Sequence, residues 1–161
     1  VVPSSAATFD VRLLGRWTEV DGKDRAVVSR GDSNGYAIEY TDGEGKVGRF
    51  EARLGRLGPR LVLDVRPAAR ESEPALTEAA MLIRGHVLFV IDIAADSVRI
   101  AMLKPEALRS ALMNKSVQMA HVDDRDRLVL TGTSEELRRV LAGYMERSGA
   151  LDEPGTWRKE R

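Results

Sequence analysis

Apolar and polar residues alternate through the middle of this chain. Tyr36, Ile38 and Tyr40 alternate with Ala37, Glu39 and Thr41, and Phe50, Ala52 and Leu54 with Arg49, Glu51 and Arg53. Leu61, Leu63 and Val65 follow, with Asp64 and Arg66 among their alternates. Successive strand side chains point to opposite faces, so this period of two gives one buried face and one wet face. Antiparallel sheets read this way, whereas buried parallel strands read as continuous apolar runs. Val98, Ile100 and Met102 repeat the pattern, Val117 and Met119 repeat it weakly, and Leu128-Val129-Leu130 is apolar throughout.

Turn chemistry separates these runs, at Gly31-Asp32-Ser33-Asn34-Gly35, Asp42-Gly43-Glu44-Gly45, Gly58-Pro59, Ala95-Asp96 and Asp123-Asp124-Arg125-Asp126. The strands are therefore predicted near 15–20, 26–30, 35–41, 46–56, 60–66, 86–94, 97–103, 117–122 and 127–131. Eight or nine short strands at this spacing predict an all-β barrel or sandwich.

Two helices interrupt the pattern. Pro105 suits the first position of one, where a missing N–H costs nothing, and Leu108, Ala111 and Leu112 give it an apolar side. Thr133 and Glu136 have capping-box spacing for the other, whose apolar stripe is Leu137, Val140, Leu141 and Tyr144, with Gly149 as its stop. This second helix is predicted to pack outside the sheet. Pro67 to Glu78 reads as a long loop.

With 161 residues, the chain suits one domain with tails: a flexible segment 1–8, a barrel domain with its C-terminal helix over 9–149, and a tail 150–161. The first residues read as a mature end left by processing or as an expression boundary. Zero cysteines exclude a disulfide scaffold, a thiolate metal site and a cysteine nucleophile. Basic and acidic residues balance at 25 each, which argues against a general nucleic-acid binder. Arginine supplies 20 of those 25 basic residues, the usage of a GC-rich bacterial genome. The longest apolar run, Val87 to Ile91, is far short of the roughly 20 residues a spanning helix needs.

Several motifs resemble sites and read otherwise in context. Gly43-Glu44-Gly45-Lys46-Val47-Gly48 matches a dinucleotide fingerprint, yet the residues after it alternate with period two where a helix should start, so it reads as a hairpin loop. Gly31-Asp32-Ser33-Asn34-Gly35 matches a nucleophile elbow, yet a strand follows it rather than a helix. The two histidines, His86 and His121, have no zinc-ligand spacing and read as structural strand-end residues. Asp123, Asp124 and Asp126 lack the 12-residue calcium loop and read as a solvated turn. No acid, base and nucleophile can be assembled, so no enzyme, cofactor or metal is expected.

Arg12-Leu13-Leu14-Gly15-Arg16-Trp17 places Gly-x-Trp at the start of the first strand. This resembles the opening motif of lipocalins and related calycins. The order from Leu14 to Tyr144 also resembles uncharacterised bacterial lipocalin-like proteins. The matching stretches are Gly35 to Tyr40, Leu61 to Val65, His86 to Val90 and Thr131 to Leu137. The resemblance implies an up-and-down barrel with the Trp at its closed end, under an arginine from the end of the last strand. Arg127 and Arg138 are the candidates for that arginine. It also implies an extracytoplasmic setting, periplasmic or membrane-associated.

The expected fold is therefore a mainly β, antiparallel up-and-down barrel with a C-terminal helix outside. The leading expectation for function is a non-catalytic protein that binds a small apolar molecule, with Trp17, Tyr36, Ile38, Tyr40, Phe50 and Leu63 facing inward. The alternative is a filled barrel serving as an accessory subunit of a larger protein complex, docked through Trp157 and Arg158 in the tail, since Trp beside Arg is the composition of an interface anchor.

Overall fold

A computed structural model describes residues 1–68, 85–124 and 127–160. Seven strands run in sequence: β1 (Gly15–Glu19), β2 (Arg25–Arg30), β3 (Tyr36–Thr41), β4 (Val47–Leu57), β5 (Arg60–Pro67), β6 (Val87–Ile93) and β7 (Ser97–Met102). Helix α1 (Pro105–Met113), strands β8 (His121–Asp124) and β9 (Arg127–Leu130), helix α2 (Ser134–Tyr144) and strand β10 (Gly155–Lys159) complete the chain. Eight strands close an antiparallel barrel in the order β1-β10-β7-β6-β5-β4-β3-β2. Sequence neighbours pair throughout, so the topology is up-and-down, with one long excursion between β7 and β10. The fold class predicted from the alternation is the fold observed. Among the described residues no helix is long and apolar enough to cross a membrane.

The register shows how the alternation becomes a barrel. Tyr36 pairs with Ala52, Ala52 with Val65, and Val65 with Val87, one row of side chains from the inward-facing set. The adjacent row, Ala37, Glu51 and Arg66, belongs to the outer face, where Arg66 and Glu51 form an ion pair. The hairpin between β2 and β3 closes on Gly35 N–H donating to Asp32 O at 2.8 Å, with Ser33 and Asn34 both left-handed at φ 52° and 60°. Two successive left-handed residues match the right-handed twist of the flanking strands. The fingerprint-like run at Gly43 is also a hairpin turn. Asp42 caps it by accepting from Glu44 N–H at 2.9 Å and Lys46 N–H at 2.8 Å.

A second apolar layer lies outside the barrel. Leu57, Val62 and Val90 face Leu141 and Met145 of the α2 region. Helix α2 starts with the predicted capping box: Glu136 N–H donates to Thr133 Oγ1, and Thr133 N–H to the Glu136 carboxylate. It ends at Tyr144, five residues before Gly149, the predicted stop.

Three expectations are corrected. Strands predicted near 117–122 and 127–131 do not join the barrel. The chain there forms the separate hairpin β8–β9, which packs with α1 around Leu108, Leu112, Val117 and Tyr144. The tail 150–161 instead contains the closing strand β10, paired with both β7 and β1. Its five residues, Gly-Thr-Trp-Arg-Lys, hold a single large apolar side chain, so no alternation announces the strand. Residues 1–8, expected to be flexible, lie against the outer face of β4 and β5. Val2 is buried there, and Thr8 N–H donates to Leu54 O at 2.8 Å. Gly55 makes this approach fit, because a Cβ on it would stand 2.7 Å from Val2 Cγ1. The loop predicted over Pro67 to Glu78 lies mostly outside the described residues, as does Asp126.

Candidate functional site: the barrel cavity

One end of the barrel is plugged by residues 9–14. The Trp17 indole N–H donates to Leu13 O at 2.9 Å. The Tyr36 hydroxyl accepts from Asp10 N–H at 2.7 Å and donates to Asp10 O at 3.2 Å. Phe9 stacks on the Tyr36 ring at 5.0 Å, and the Arg30 guanidinium lies 4.1 Å from the Phe9 ring centre. The cation covering Trp17 comes from a barrel strand, whereas Arg127 and Arg138 stand on β9 and α2. It is Lys159 at the end of β10, whose ammonium lies 5.4 Å from the Trp17 ring centre and donates to Arg12 O at 3.0 Å. Sequence reasoning misses it because β10 itself reads as tail. Gly15 is needed at this point, for its φ is +132° and a Cβ would meet the Lys159 stem at 2.7 Å.

Above this plug the barrel encloses a cavity of about 730 Å³. That is within the roughly 300–1,000 Å³ typical of small-molecule sites. Trp17, Tyr36, Ile38, Tyr40, Phe50 and Leu63 all line it, so the structure brings together the six side chains expected to face inward. Phe89, Ile91, Val98 and Ile100 complete the wall from β6 and β7. Trp157 also lines the cavity, and its ring lies 6.4 Å from Tyr40 across the interior. The side chains of the described residues therefore leave the interior open. The two candidate docking residues are separated, since Trp157 faces the cavity while Arg158, its neighbour in the strand, is exposed.

Few polar atoms reach this space, and most are committed. The Tyr40 hydroxyl donates to the Asp24 carboxylate. That bond, burial and the charges of Asp24, Asp42 and Glu19 push the Tyr40 hydroxyl up to about 12. Burial likewise raises Tyr36 above its usual value. Both phenols are neutral donors at physiological pH.

His86 stands just before β6, its ring against a partner on the outer face that composition does not announce. Its Nδ1 lies 2.6 Å from Asp64 Oδ1. Asp64 is buried, on the outer face of β5, and its other oxygen accepts from the nitrogens of Val1 at 2.6 Å and Val2 at 2.7 Å. Burial alone would raise this carboxyl. The donors from Val1, Val2 and His86 outweigh burial and hold it below its ordinary value. The signal in the sequence was Asp64 itself, a charge flanked by Leu63 and Val65, but nothing local pointed to residues 1, 2 and 86.

The other sequence candidates lie elsewhere. His121 is exposed on β8, with Nδ1 2.9 Å from Met119 O. No group of three metal-ligating side chains occurs among the described residues. Ser33 borders a hollow of about 390 Å³ that His86 and Asp64 also touch. Among the described residues Ser33 and His86 share no hydrogen bond. The Gly31 and Gly35 amides are both donated within the turn.

Comparison with protein-family models, curated proteins and solved structures returns no match.

Proposed function

We propose that the protein is a non-catalytic, lipocalin-like binding protein that holds a small apolar molecule inside its barrel. The observation that carries this reading is the cavity of about 730 Å³, walled almost wholly by aliphatic and aromatic side chains and plugged at one end. An eight-stranded barrel is just wide enough either to fill with side chains or to hold one small ligand. The open interior favours the second use. Removing apolar ligand surface from water contributes roughly 25 cal/mol per Å², so such a wall binds without specific polar contacts. The Gly15-x-Trp17 opening with a cation over the indole also supports the lipocalin-like reading, with Lys159 of the last barrel strand standing where the resemblance implies an arginine.

An environment-sensitive apolar dye tests the reading. Saturable binding at one dye per chain is expected, with energy transfer from Trp17 and Trp157. Ile100→Trp, which fills the cavity from β7, is expected to abolish binding while leaving the circular dichroism unchanged. A folded protein that binds no apolar dye defeats the proposal. Native mass spectrometry of protein from its source gives an independent check, a retained small molecule being the expected mass.

A further inference from the structure

We propose that the hollow on the outer face, beside the β2–β3 turn, is a second binding site that takes a small oxyanion, a carboxylate or phosphate group, between Arg53 and His86. It is separate from the barrel cavity and does not depend on what that cavity holds. The hollow measures about 390 Å³ and lies between the turn and the outward-facing residues of β3, β4 and β5. Ala37, Glu51 and Arg66 form one row of its floor, and Arg53 and Asp64 the next. The floor is closed beneath by Tyr36 and Ala52, both buried.

Three acidic and three basic side chains line this hollow, and pairing them off leaves a cation. Arg66 is held by Glu51, its Nε donating at 2.9 Å. Asp64 is saturated, accepting from His86 Nδ1 and from the nitrogens of Val1 and Val2. Asp32 is exposed at the rim. Arg53 stands opposite Asp64 in the β4–β5 register, yet Asp64 is turned to its other donors. Among the described residues the half-buried Arg53 guanidinium has no hydrogen-bond or ion-pair partner. A guanidinium is a planar fork of N–H donors that matches two oxygens of a carboxylate or phosphate. Partial burial also lessens the screening of its charge by salt.

The part of His86 follows from Asp64. An ionised carboxylate only accepts, so in the neutral ring the proton sits on Nδ1, 2.6 Å from Asp64 Oδ1. Nε2 is then the free nitrogen of a ring that Asp64 holds at the wall of the hollow, and the side chain is 42% exposed. A bound anion draws a second proton from solvent onto Nε2, which becomes a donor to the anion, while Asp64 balances the imidazolium from the other side. Arg53 supplies the standing charge, and His86 a charge that the ligand itself induces. Asp64 is a positioning residue, fixing the tautomer and orientation of the ring.

Calorimetry on the full chain with acetate and with inorganic phosphate tests this, chloride keeping the ionic strength constant. Saturable binding of one anion per chain is expected, the tighter of the two naming the group. Arg53→Gln is expected to weaken it about ten-fold or more, as for a charge-assisted pair. Arg139→Gln, on the exposed side of α2 and outside the hollow, is expected to stay within about two-fold of wild type. Circular dichroism reports that both variants are folded. In wild type the Arg53 Nε and His86 Nε2 resonances are expected to move together on titration, a readout that needs no variant. Acetate binding at about pH 7.5 is expected to take up part of a proton, seen as a heat that varies with the buffer, and His86→Gln is expected to remove that uptake. Failure of both anions to saturate overturns the site. Binding that is unchanged in Arg53→Gln, or that leaves the His86 resonance in place, also overturns it and assigns the anion to general attraction by surface arginines. None of these outcomes bears on the barrel cavity, which the apolar dye reads separately.

Discussion

The ammonium of Lys159 lies 5.4 Å from the ring centre of Trp17, joining the last barrel strand to the first at the plugged end. The two residues are also direct partners in the β1–β10 register. A cation over an indole contributes about 0.5–1 kcal/mol at a partly exposed site, and the Lys159 bond to Arg12 O adds to it. Lys159→Met is therefore expected to cost about 1–2 kcal/mol. Trp17→Ala, which empties a site only 3% exposed, is expected to cost roughly 3–5 kcal/mol. Urea unfolding of the two variants measures both. If Trp17→Ala costs under 1 kcal/mol, the plug does not organise the barrel.

Strand β10 changes what Trp157 should do. A Trp in a free tail would be dispensable to the isolated fold, but here its ring lines the cavity from the closing strand. Trp157→Ala is expected to destabilise by about 1–3 kcal/mol, less than Trp17→Ala because the ring is only half-buried. Ending the chain after Pro154 leaves β1 and β7 as open edges, and such edges pair with other chains. Aggregation on size-exclusion chromatography is the expected result. A monomeric, cooperatively unfolding truncated protein contradicts the closed barrel.

Asp64 makes stability depend on acid. Its folded pKa lies below the unfolded value of about 3.8. The stabilisation is therefore fully present above about pH 4 and is lost as pH falls through the lower folded value. Asp64→Asn is expected to cost about 1.5–3 kcal/mol at pH 7, as for hydrogen bonds to a charged group. The unfolding midpoint of the variant should also fall less steeply below pH 4 than that of wild type. Parallel curves for the two proteins would assign the acid sensitivity to other carboxylates.

Tyr40 makes a matching statement at high pH. Its hydroxyl ionises near 12 in the folded protein against 10.0 in the unfolded chain. The folded state disfavours the phenolate, so this contribution is complete below pH 10 and is lost as pH rises towards 12. Ultraviolet titration of the phenolate band is expected to show Tyr40→Phe losing the most alkaline transition. If the lost transition lies near pH 10, the Asp24 bond is absent in solution.

The sequence exposed the barrel wherever a strand has enough residues to alternate. Strands β3, β4 and β5 repeat the pattern over six, eleven and eight residues, and their five inward candidates, Tyr36, Ile38, Tyr40, Phe50 and Leu63, all line the cavity. Strand β10 has one large apolar residue in five, flanked by Gly, Thr, Arg and Lys, so its period is below detection. The β8–β9 hairpin misled in the opposite sense. Leu128 and Leu130 look like core strand but pack, half-buried, against the cluster around α1 instead of the barrel interior. The His86–Asp64 pair was illegible for another reason. Its members are 22 residues apart and its backbone donors lie 62 and 63 residues from Asp64, contacts that only the closed topology creates.

Because β10 closes the barrel, the nascent chain faces a problem of timing. Translation delivers β1 through β7 in order, and each can pair as it leaves the ribosome. Trp17 and the exposed sides of β1 and β7 must then wait for residues 155–159, after both helices and the outer hairpin have been synthesised. During that interval the half-built protein carries two adhesive edges and an uncovered indole, the kind of surface that recruits chaperones. A slow stretch of codons just before Gly155 would lengthen that exposure.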